Sequence, residues 1–205
     1  MGRMKLYYSK GSCSLASHIS LEEAGAKFEA QRINLQEGEQ RKPEFLKLNP
    51  KGKVPTLVLD GEQALTENPA IISYVSDTHP QSNLLPKPGE LRRAKAQEWL
   101  AWCASTVHPS FGGLFAAARN KAEPDAAVKS AVQANLDLYD QWLSGKKFVL
   151  GDQFSGADAY TLVFTLWAKN FKLNIGPNML ASAKALLERP GVQRAVQTQE
   201  LKFDL

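Results

Sequence analysis

Long apolar runs are missing from this 205-residue chain. None approaches the ~20 residues that span a bilayer, which argues against a helical membrane protein. Cysteine is scarce: Cys13 and Cys103 stand alone, too few for a disulfide scaffold and suited to a reducing compartment. The three histidines, His18, His79 and His108, lie far apart without metal-ligand spacing, so no metal site is expected. Charge of one sign never gathers. The net charge is +4, but the basic residues are dispersed, with no stripe or tract of the kind that binds nucleic acid. The N-terminal MGRMKLYYSKG lacks an apolar secretory core, and a cytoplasmic protein is the expectation.

What is present is 43% hydrophobic and 22% charged sequence, the balance of a soluble chain able to bury a sizeable core. Met4 to Tyr8 reads as a strand and Cys13 to Ala24 as a helix with Gly25 as its stop. Phe28 to Leu35 alternates imperfectly, as a strand would. A short helix is expected around Glu44 to Leu48. Val54 to Leu59 is β-rich, and Asp60-Gly61 supplies a hairpin turn before Ala64-Leu65. Asn68 to Asp77 has helical spacing. This order describes a compact α/β unit with a mixed sheet over residues 1–80. Residues 81–89, rich in proline, read as a semi-rigid linker. From 90 to 205 nearly everything is helical, with one long helix expected over Leu91 to Ala118 and another from Asp125 to Leu143, opened by Pro124.

Four local features bear on chemistry. Cys13 sits where a strand gives way to a helix. Its thiol reads either as a small hydrophobe filling a gap or as an anion stabilised by the helix dipole. Ala16 occupies the second position of a CxxC pair, which excludes a dithiol cycle but not a mixed disulfide with an external thiol. In NPKGKVPTL, Pro55 opens an apolar strand, so Val54 could leave its backbone groups free for an extended peptide ligand if the bond between them is cis. In LTENPAI, Glu67 and Asn68 precede a helix and are expected to cap it, at a helix start that could also hold a ligand carboxylate. In FSGADAY, Ser155 and Asp158 have capping-box spacing.

Taken in order, KLYYSKGSCSLASHI, NPKGKVPTL, LTENPAI, EWLAWCASTVHPSF and FSGADAY with the Trp167 segment resemble the glutathione S-transferases, most closely the bacterial beta class. The resemblance implies an α/β thioredoxin-like N-terminal domain plus an all-α C-terminal domain, in a homodimer. It implies glutathione as co-substrate, a small electrophile as second substrate, and no further cofactor. Cys13 and His108 match the residues beside the glutathione sulfur. Val54, Glu67, Asn68, Ser105 and Thr106 match positions that grip the tripeptide. Tyr8, Phe111, Phe115, Trp167 and Asn170 match the second-substrate pocket. Ala101, Thr106 and Pro109 depart from the common residues on the segment that completes the glutathione site, and Pro109 should kink its helix and move His108. The implied activity is conjugation of glutathione, with thiol–disulfide exchange through Cys13 as a side activity. A non-catalytic ligand carrier is the alternative.

Overall fold

The computed structural model describes residues 4–60 and 63–205. Strand β1 (Met4–Tyr8) leads through helix α1 (Ser14–Glu23) to β2 (Phe28–Arg32), which pairs parallel with β1. A 3₁₀ turn (Glu39–Arg41) and α2 (Pro43–Leu48) follow. Then β3 (Thr56–Val58) and β4 (Ala64–Thr66) add antiparallel to the other side of β1. The sheet order is β2-β1-β3-β4, and α3 (Asn68–Thr78) closes the unit. The mixed sheet and thioredoxin-like order match the expectation. Strand β2 stops at Arg32, earlier than its apolar pattern suggested, because none of its residues is buried and Ile33 already turns into a side cluster with Phe45 and Val54. The expected turn at Gly61 lies outside the described residues.

The helical half holds α4 (Leu91–Trp102), α5 (His108–Ser110), α6 (Gly112–Arg119), α7 (Ala126–Trp142), α8 (Ala159–Asn170), α9 (Pro177–Leu187) and α10 (Pro190–Thr198). The single long helix expected over Leu91 to Ala118 is therefore broken. A π-helical turn, Cys103–Val107, joins α4 to α5, and Pro109 sits in the first turn of α5. The missing proline N–H and the ring clash make that break inexpensive here. Helix α7 starts one residue later than expected, with Asp125 as its cap: the carboxylate accepts the Ala127 N–H at 2.7 Å.

Helix α8 is buried on every side from Ala159 through Ala168, its two threonines included. It is the hub of the core. Tyr160 and Phe164 stack at 5.2 Å, Phe111 stacks on Phe164 at 6.0 Å, and Tyr139 meets Phe164 edge-on at 5.8 Å. Offset and edge-on rings of this kind contribute roughly 0.5–1.5 kcal/mol per pair beyond the area they bury. The two halves are joined by polar staples between α1 and α10. The Glu23 carboxylate accepts from the Arg189 guanidinium and from the Val192 N–H, and Arg194 pairs with Glu22.

Before α8 the capping box forms. Asp158 accepts from the Ser155 N–H at 2.8 Å and the Ser155 hydroxyl at 3.0 Å, while its other oxygen takes the Val149 N–H at 2.7 Å. Burial nevertheless dominates and raises the Asp158 pKa from 3.8 to about 6. The folded state thus binds this proton more tightly than the unfolded chain. Its contribution to stability is full below about pH 4 and is lost as pH rises through about 6. Unfolding in urea at pH values across that window is expected to show this decline, and Asp158→Asn is expected to flatten it.

Candidate functional site

Four elements converge around Cys13. The turn after β1 reverses at Gly11, whose φ of 67° suits glycine, and delivers Cys13 to the start of α1. Across from it the Val54–Pro55 bond is cis, and Val54 lies two residues ahead of the first paired residue of β3. The Cys13 thiol donates to the Val54 carbonyl, with 3.5 Å between Sγ and O. From α5 comes His108, whose ring meets Trp167 of α8 edge-on at 4.9 Å. From the start of α3 comes Glu67, exposed and held at 2.7 Å by the Lys51 ammonium.

Of the two readings of Cys13, the electrostatics around it favour the neutral thiol. Burial, reinforced by the Glu67 carboxylate, pushes the thiol up to about 12, outweighing the neighbouring Asn68 amide and the Lys53 charge, which favour the anion. The helix dipole does not rescue it, because Cys13 takes the N-cap position in helical geometry and its side chain makes no cap hydrogen bond. His108 is pushed down, first by burial and then by Lys53, with Glu67 opposing, so its imidazole is neutral near neutral pH. Lys53 went unnoticed in the sequence. Its charge reaches both the thiol and the imidazole, and only the fold puts it there.

Other expectations also change. Neither Glu67 nor Asn68 caps α3 with its side chain: Glu67 holds the cap position at φ 73° without a side-chain bond. Asn68 is buried and turned inward. Its oxygen accepts from the Ser17 N–H and hydroxyl, and its amide donates to the Cys13 carbonyl and to the Tyr160 hydroxyl. That side chain has no donor left for a ligand. It fixes the turn that carries Cys13 instead. Ser105 and Thr106 lie exposed on the π-helical turn, their hydroxyls 3.4 Å apart.

Of the residues expected to line a second-substrate pocket, Phe115, Trp167 and Asn170 do border one cleft of about 620 Å³. Tyr8 and Phe111 do not. Tyr8 is buried against His18 with its hydroxyl 3.4 Å from the Thr198 carbonyl, and Phe111 is fully buried on Phe164. Their pocket role comes from the family resemblance alone, and the packing places both in the core. The rest of the cleft's lining is Lys10 and Gly11 of the turn after β1, Gln36, Leu166 of α8, and the C-terminal tail at Glu200, Leu201 and Lys202. Trp167 joins this cleft to the thiol site: its indole N–H donates to the Gly11 carbonyl at 2.8 Å, two residues from Cys13, while its ring touches His108.

The chain as a whole has counterparts among known proteins. A family model described as glutathione S-transferase, N-terminal domain, matches residues 3–77, and one for the C-terminal domain of the same proteins matches residues 100–190. The chain belongs to the glutathione S-transferase family. It is 35% identical to the glutathione S-transferase GstA of Escherichia coli O157:H7 over 97% of this chain and all of that one. A sphingomonad glutathione S-transferase complexed with glutathione superposes with a TM-score of 0.85 at 36% identity, covering 97% of this chain and 100% of that one. The bacterial beta-class enzyme of Sphingomonas chungbukensis gives the same score, identity and coverage. Among the described residues, no helix of this family member is long and apolar enough to cross a membrane.

Proposed function

We propose that this glutathione S-transferase family member binds glutathione beside Cys13 and conjugates its sulfur to small electrophiles. The observation that carries the reading is the Cys13 thiol resting 3.5 Å from the Val54 carbonyl, where an extended peptide would pair its own backbone. In this structure that carbonyl accepts the S–H. Once glutathione's cysteinyl N–H takes the carbonyl, the S–H is free to donate to glutathione's sulfur and stabilise it as the thiolate. Lys53 adds positive potential to the same spot, and neutral His108 can donate or accept there. In this reading exposed Glu67, paired with Lys51, takes the tripeptide's charged γ-glutamyl end. Exposed Ser105 and Thr106 are available to it or to a partner subunit.

The reaction itself is a displacement. Glutathione's sulfur forms the bond to carbon, and the leaving group departs with its electron pair. Exchange through Cys13 is subordinate, because a thiol pushed up to about 12 is rarely the attacking anion. No observation favours the carrier alternative. The functional unit in this reading is a homodimer, and exposed Tyr74 on α3 and Leu91 on the adjoining α4 offer apolar surface for the contact.

Immobilised glutathione should retain the purified protein, and chlorodinitrobenzene with glutathione should be turned over well above the uncatalysed rate. Retention without turnover by either chemistry would leave only the carrier. Passage through the column together with no turnover would remove the reading altogether.

A further inference from the structure

The cleft of about 620 Å³ is large enough for a molecule of one or two rings. Its apolar lining combines Leu166 and Leu201 with an aromatic pair, Phe115 standing edge-on to Trp167 with centroids 4.8 Å apart. The Trp167 N–H is committed to Gly11 and its ring is almost wholly buried, so the aromatic surface open to an occupant is that of half-buried Phe115. The rim is different. Lys10 is matched by Glu200 at 3.5 Å, but Lys202 is exposed and has no ion-pair partner among the described residues. Two Lys and one Glu therefore leave the rim one positive charge in excess.

The tail that carries Lys202 is tethered on both sides of it. The Leu201 N–H donates to the Val196 carbonyl at 3.0 Å, and Lys169 binds the backbone and side chain of Asp204. Lys202 is thus held at the cleft mouth rather than on a free end. We propose that the cleft selects flat aromatic electrophiles bearing an acidic group, and that Lys202 is the specificity-determining residue for the acid. This rests on the conjugation reading and names its second-substrate class. The ring packs against Phe115, the anion faces Lys202, and the reacting carbon points past Gly11 toward glutathione's sulfur.

Chloronitrobenzoate and the matching chloronitrobenzamide test it. In both, sulfur bonds to the ring carbon that held chlorine, and chloride leaves with the bonding pair. Each rate is divided by its own uncatalysed rate with glutathione. An exposed ion pair supports a preference for the acid of about fivefold. Lys202→Met should abolish the preference, Lys202→Arg should keep it, and high salt should weaken it. A wild-type protein indifferent to the acid, or a ratio unchanged in Lys202→Met, overturns the proposal. Calorimetric binding of nitrobenzoate and nitrobenzamide to the glutathione-saturated protein reads the same preference without chemistry. Tighter acid binding lost in Lys202→Met supports the site even if conjugation fails, whereas equal binding overturns it.

Discussion

Asn68→Ala is expected to lower the stability of the protein by about 3–5 kcal/mol. The side chain is buried and saturated, linking the first turns of α1 and α3 to Tyr160 of the central helix. Removing it orphans the Ser17 hydroxyl and the Tyr160 hydroxyl in an interior that water does not reach, and leaves the Cys13 carbonyl short of one donor. Each such loss costs roughly 1–3 kcal/mol, and a cavity adds to it. For a chain of this length the midpoint of thermal unfolding should fall by about 10 °C or more. Urea unfolding of the variant measures it. A change below about 1 kcal/mol would mean that the amide network is not a structural tie.

The second large effect is chemical. In the ligand-free protein, Cys13 should react with a small disulfide reagent at neutral pH about 50-fold more slowly than an ordinary thiol. Raising the pKa from 9.0 to about 12 removes most of the anion. That amounts to a loss of roughly three decades in thiolate, of which the stronger nucleophilicity of the more basic sulfur restores a little over one. Cys103 is fully buried and its thiol is pushed up as well, so mass spectrometry of the Cys13 peptide distinguishes the two sites.

Much of the fold is written locally. The strand at Met4–Tyr8, the helix after Cys13, the helix at Asn68 and the capping box at Ser155 and Asp158 each follow from spacing and capping chemistry within a few residues. What was not legible depends on distant partners. The helix start at Cys13 suggested a stabilised anion, yet Glu67, more than fifty positions on, and burial by the surrounding fold reverse the sign. Asn68 sits at a helix start and reads as a cap until Ser17 and Tyr160 turn it inward. Tyr8 and Phe111 carry an aromatic pattern that core and pocket share, and only the packing of Thr198 and Phe164 against them decides. Pro109 did announce a break, but the π-helical turn ahead of it depends on how Cys103 and Val107 pack into the core.

The central claim is that Cys13 serves as a neutral hydrogen-bond donor and that the reacting anion belongs to glutathione. The pH profile of disulfide-reagent labelling at Cys13, taken without glutathione, tests it most directly, since slow access lowers the whole curve but only ionisation sets its shape. The account predicts a rate that climbs about tenfold per pH unit through neutrality and does not level off below about pH 10. A plateau reached by about pH 7 would place a thiolate at position 13 and contradict it.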